Sequence, residues 1–95
     1  MPGALWVTCY RRVTDPVKLG ASLAGPAITQ AGGVFLARGS PAAVFEAGLK
    51  ERTVIIRFDS IAAAVALYES PAYAAALAAL GDGAERDLRI VEATD

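Results

Sequence analysis

The side chains in this sequence with chemistry to offer are arginines and aromatics. Arg38, Arg57 and Arg89 each sit in an apolar stretch of strand character, and Trp6 and Tyr10 sit in another. Guanidinium groups beside aromatic rings can hold a carboxylate or an enolate in an apolar cavity, through charge-assisted hydrogen bonds. The same arginines could instead pair with Glu46, Asp87 or Glu92 across a subunit interface, where arginine is common for reasons unconnected with ligands. Tyr68 and Tyr73 could donate a proton, but their helical spacing with Val65 and Leu77 reads first as core packing. Cys9 reads as a small apolar core residue rather than a reactive thiol. Asp59 and Glu69 lie near helix termini with no second acid beside them.

What is missing narrows the chemistry further. There is no histidine, so the usual base near neutral pH and the usual activator of a serine or cysteine nucleophile are gone. No group of cysteines and acids has metal-ligand spacing, so no metal is expected. Gly32-Gly33 and Gly81-Asp82-Gly83 lack the lysine and glycine spacing of a phosphate loop, and no cofactor is expected. Nine basic and ten acidic residues give a net charge of −1, which offers no field for nucleic acid. The start, MPGALWVTCYRR, is not patterned as a signal peptide. No run reaches the roughly 20 apolar residues that span a bilayer. The expectation is a cytoplasmic chain with neither nucleic acid nor membrane as partner.

Elements must position those side chains, and 95 residues suffice for one domain, 1–95. Residues 4–10, 34–38, 52–58 and 87–92 read as strands, with 43–47 as an extension or a short extra strand. Asp15 and Pro16 start a helix, which Gly25-Pro26 should kink or break before it ends at Gly32-Gly33; Leu23, Ala27 and Ile28 share its inner face. Ser60 caps a helix carrying Ile61, Ala64, Val65 and Tyr68, and Ser70-Pro71 starts another carrying Tyr73, Ala76, Leu77 and Leu80. The order β-α-β-β-α-β with right-handed crossovers gives the ferredoxin-like α+β arrangement, a four-stranded antiparallel sheet with its helices on one face.

Alternation along each strand then assigns faces. An unpaired charge is costly to bury, so Arg38, Arg57 and Arg89 are expected to point away from the helices, with Val34, Leu36, Ile55, Asp87 and Val91. Phe35, Ala37, Val54, Ile56, Phe58, Leu88 and Ile90 then point inward. On the first strand Leu5, Val7 and Cys9 fit the core, leaving Trp6, Thr8 and Tyr10 on the open face. A face holding Trp6, Val34, Leu36, Ile55 and Val91 is too apolar to meet only water. A second copy docked sheet to sheet would cover it, and 55% apolar residues with a mean hydropathy of +0.42 in so short a chain point the same way.

The chain resembles the bacterial family catalogued as domain-of-unknown-function family 1330, almost end to end. The resemblance rests on Trp6, Thr14-Asp15-Pro16, Gly25-Pro26-Ala27-Ile28 and the run Gly32-Gly33-Val34-Phe35-Leu36-Ala37-Arg38-Gly39. It continues through Val54-Ile55-Ile56-Arg57-Phe58 with Ser60, Tyr68-Glu69-Ser70-Pro71-Ala72-Tyr73, and Asp87-Leu88-Arg89-Ile90-Val91-Glu92. It implies a ferredoxin-like fold that dimerises into an α/β barrel, and no particular activity. The chain departs from the family pattern at Val34, at Ile61-Ala62-Ala63 and at Leu19-Gly20, where basic, acidic and aromatic residues are usual.

Three readings of function follow. One is a homodimer binding a small acidic or aromatic molecule beside the sheet, through Arg57, Arg38, Arg89, Trp6 and Tyr10. The second is a cofactor-independent enzyme of the α/β-barrel type, an isomerase or monooxygenase, by analogy of fold. The third is a structural or regulatory interaction module.

Overall fold

The computed structural model describes residues 2–21 and 25–94. Four strands, β1 (Ala4–Val13), β2 (Val34–Gly39), β3 (Thr53–Phe58) and β4 (Ala84–Glu92), form one antiparallel sheet in the order β2-β3-β1-β4. The central pair is β1 and β3, as the apolar runs LWV and VII require. Between them run α1 (Pro16–Ala21), α2 (Gly25–Gln30), α3 (Ile61–Tyr68) and α4 (Pro71–Leu80). The second crossover is two short helices, and the first is described as two helical segments. The junction between Ala21 and Gly25, with the expected inner position Leu23, lies outside the described residues. No single helix among the described residues is long and apolar enough to cross a membrane.

Local chemistry fixes the ends of these elements. The Asp15 carboxylate accepts from the Val17 and Lys18 amides at the start of α1. Ser60 and Ser70 accept from the amides of Ala63 and Tyr73 at the starts of α3 and α4, the pattern of an N-cap. The β1–α1 and α4–β4 turns are clasped together. The amides of Thr14 and Asp15 both donate to the Gly83 carbonyl, Thr14 Oγ1 donates to the Asp82 carbonyl, and Lys18 Nζ meets Asp82 at 2.7 Å. Residues 43–47, expected as strand, are irregular, and β4 starts at Ala84 rather than at residue 87.

The face assignment holds on β3 and β4 and fails on β1. Val54, Ile56 and Phe58 are buried, and Leu88 and Ile90 pack on the same side. On β1, however, Ala4, Trp6, Thr8 and Tyr10 turn inward, while Leu5 and Val7 are half-buried on the open face and Cys9 is exposed. The physical reason is area. Trp and Tyr bury far more apolar surface than Leu, Val or Cys, provided their polar tips find partners. Trp6 Nε1 donates to Thr8 Oγ1 at 2.8 Å, so one hydrogen bond satisfies the indole within its own strand. Trp6 also packs against Phe58, Tyr68 and Tyr73, with ring centroids 5.7, 5.9 and 5.3 Å away.

The assignment also fails along β2. Phe35 pairs with Ile56, but the next registered pair is Ala37 with Ile55, so Leu36 is the extra residue of a bulge. Beyond it the parity reverses: Ala37 turns to the open face and Arg38, opposite Val54, turns to the helix side.

Gly33 sits where α2 meets the sheet, its amide bonded to the Ile28 carbonyl. A Cβ there would lie 2.7 Å from Ile28 Cγ2 and 2.9 Å from the Ile28 carbonyl oxygen. Gly33→Ala is expected to lower the urea unfolding free energy by about 1–3 kcal/mol, the usual cost of overpacking. Gly20 in α1 has nothing within 4 Å of such a Cβ, and Gly20→Ala should raise it by up to about 1 kcal/mol.

Candidate ligand-binding site

The registers stack the helix-side residues in rows across the sheet. Phe35, Ile56, Trp6 and Ile90 form one row, and Arg38, Val54, Thr8 and Leu88 the next. Above these, Tyr10 is flanked by Arg86, its partner on β4, and by Arg52, whose carbonyl accepts the Tyr10 amide. The sheet thus changes from apolar to cationic along its strands. Helix α2 covers it only partly, leaving a cavity of about 480 Å³ whose lining includes Trp6, Thr8 and Tyr10 of β1, Tyr73, and Arg38, Arg52 and Arg86.

Among the described residues, no carboxylate lines this cavity, and none forms an ion pair with Arg38, Arg52 or Arg86. Arg38 instead lies over the Phe35 ring, 4.5 Å from its centroid, a cation–π contact. Arg86 Nη1 donates to Tyr73 Oη at 3.3 Å and lies 5.9 Å from the Tyr10 centroid. Burial pushes the Tyr73 phenol above its ordinary pKa, and the Arg86 bond only partly offsets this. Burial works against the charge of Arg86, yet the bond to Tyr73 and the neighbouring tyrosines leave its pKa raised. The site therefore holds a neutral phenol beside a firmly charged guanidinium.

Of the residues expected to line a site, Trp6, Tyr10 and Arg38 meet here and Arg57 and Arg89 do not. Arg57 lies on the open face opposite Leu5 and Val34, its guanidinium against Gly3, and is already engaged. Arg89 is bound on that face by Asp87, with hydrogen bonds of 3.0 and 3.1 Å. The residues that replace them, Arg52 and Arg86, were within reach of the same reasoning. Arg52 shares the parity of Val54 and Ile56, and Arg86 that of Leu88 and Ile90, so extending the alternation by one step finds both. Neither Tyr68, which is exposed, nor Cys9 reaches the cavity lining.

Sheet order, paired crossover helices and an arginine-lined cavity on the helix side define a ferredoxin-like α+β protein with an internal cleft. The chain belongs to the family described as Domain of unknown function (DUF1330), whose pattern matches residues 3–94. Similar folds occur in solved structures of low identity. A protein of unknown function from Rhodopseudomonas palustris superposes with a TM-score of 0.73 at 17% identity, covering 99% of this chain and 84% of that one. A dimeric ferredoxin-like protein from Thermobifida fusca gives 0.59 at 17% identity, covering 97% and 92%. SnoaB, a cofactor-independent oxygenase from Streptomyces nogalater, gives 0.66 at 11% identity, covering 100% and 96%. Comparison with curated proteins gives no match.

The raised phenol makes a titration test. The chain has three tyrosines, and Tyr73 should ionise above the ordinary value of about 10. Its contribution to stability is full below that value and is lost as the pH rises through its folded pKa, because the folded state then holds the proton the unfolded chain has released. In Tyr73→Phe the late-rising phenolate absorbance near 295 nm should vanish, and with it that part of the alkaline loss of stability.

Proposed function

We propose that this chain binds a small aromatic acid in the cavity between sheet and helices, its ring against Trp6 and Ile56 and its carboxylate among Arg38, Arg52 and Arg86. The observation that carries the reading is three inward arginines with no acid among them in the described residues, in a chain of net charge −1. A cavity of about 480 Å³ is within the range of small-molecule sites. The apolar row behind the arginines suits a ring rather than a bare inorganic anion. A second reading, cofactor-independent catalysis of the kind named for SnoaB, draws on the Tyr73 hydroxyl on the cavity wall, which accepts from Arg86 and can donate a hydrogen bond to a substrate oxygen.

Trp6 is the sole tryptophan and lines the cavity, so intrinsic fluorescence reports occupancy. Benzoate should quench or shift it saturably. Arg52→Met and Arg86→Met should each weaken binding at least about tenfold, as loss of a charge-assisted hydrogen bond does. Tyr73→Phe should leave binding within a few-fold, and its effect on turnover of a bound aromatic separates the enzymatic reading from binding alone. Absence of any response to benzoate or larger aromatic acids would sink the proposal.

The proposal extends to self-association. The open face carries rows of Val34, Arg57, Leu5, Val91 and of Ala37, Ile55, Val7, Arg89. Val34 and Val91 are 58% and 53% exposed, and Leu36 beside them 55%. That is an apolar surface no described helix covers, and a second copy is the economical cover. Trp6, at 1% exposure, has no part in it. Light scattering should give twice the chain mass, and Ile55→Asp should shift it toward monomer. Cys9, exposed at the end of the same face, should react with a thiol reagent in the native protein, more slowly as protein concentration rises. A monomer at tens of micromolar, with labelling independent of concentration, would be the contrary result.

A further inference from the structure

Thr8 lies at the middle of the cavity floor and is only 3% exposed. Its oxygen accepts the Trp6 indole N–H at 2.8 Å, which fixes the hydroxyl's position. That bond gives the oxygen its partner, and among the described residues no hydrogen bond is donated by the hydroxyl itself. A buried hydroxyl donor without an acceptor forfeits a hydrogen bond it would make in water, and the side chain next to it across β3 is Val54, which supplies none. The cavity itself is the direction from which an acceptor can come.

We infer that Thr8 is the specificity-determining residue of this site, donating its O–H to a neutral oxygen on the ligand. The inference rests on the reading of the cavity as an aromatic-acid site and refines the class of acid. Thr8 and Tyr10 are two residues apart on one strand and face the same side, which separates their rows by about 7 Å. Arg52 and Arg86 flank Tyr10 from the neighbouring strands, so a carboxylate that they hold, with Arg38 at the rim of the same cleft, is displaced from Thr8 along the strand direction by a spacing of that order. A benzene ring with para substituents bridges such a gap, whereas ortho substituents leave the second oxygen beside the carboxylate. The ligand class is therefore a para-hydroxy or para-oxo aromatic acid. The Trp6 N–H takes one of the threonine oxygen's two acceptor positions, which leaves its O–H to donate into the cavity.

The test is a fluorescence titration of the whole chain with 4-hydroxybenzoate, 2-hydroxybenzoate and 4-methylbenzoate, the last matching the first in shape without its oxygen. The wild-type protein should bind 4-hydroxybenzoate roughly tenfold more tightly than either of the others, the discrimination expected when a buried polar group is left unpaired. Thr8→Val should erase that preference while holding 4-methylbenzoate affinity within about threefold, and Thr8→Ser should retain it. Equal binding of all three acids by the wild type overturns the role of Thr8 and leaves the arginine site standing, even if Thr8→Val does not fold. A preference that survives in a folded Thr8→Val also overturns it. Failure of every acid to bind overturns the cavity reading and this inference together.

Discussion

The direction in which β1 faces governs the rest of the molecule. It is a central strand, bonded to β3 on one side and β4 on the other, so its alternation sets what both faces of the sheet present. With Trp6, Thr8 and Tyr10 turned to the helices, the core is organised around a ring cluster of Trp6, Phe58, Tyr68 and Tyr73. The opposite face receives the shorter side chains Leu5, Val7 and Cys9, and is flatter for it. A one-residue slip of β1 would exchange these sets and leave an indole on the open face and no floor for the cavity.

Charge follows from the same geometry. Three arginines on the helix side would be prohibitive in a filled core, but they stand where α2 leaves the sheet incompletely covered. Arg38 is exposed and Arg52 and Arg86 are half-buried, so each guanidinium keeps some water while its stem or plane rests on an aromatic ring or a strand. The penalty falls mainly on Arg86, and Tyr73 and Tyr10 offset it. The result is a graded cleft, apolar at Trp6 and Ile56 and cationic at its Arg52–Tyr10–Arg86 end, without a compensating acid among the described residues.

Element order, sheet topology and the parities of β3 and β4 were legible because their patterns are one-sided: VIIRF and DLRIVE each place apolar and charged residues on alternate positions. The first strand offered no such contrast. Both of its alternating sets are apolar enough to be core, and adjacent Arg11 and Arg12, of which Arg12 pairs beyond an irregularity after Tyr10, gave no single charge to orient it. The bulge at Leu36 was equally silent, since no glycine or proline marks it, and it reversed Arg38. The residues expected together were thus divided between the two faces, with Trp6, Tyr10 and Arg38 on the helix side and Arg57 and Arg89 on the open face. The rule that arginines avoid the core was sound for Arg57 and Arg89 and misled where the core is open.

The bulge in β2 has a consequence for the chain's neighbours as well as for Arg38. Strand β2 is an edge, and an edge offers unpaired amides and carbonyls to any passing strand. An extra residue at Leu36 bends that edge and breaks the regular spacing an incoming strand must match. The irregularity that turns Arg38 into the cleft therefore also guards the β2 edge of the sheet against being extended by a stranger, on the strand that carries the exposed Val34.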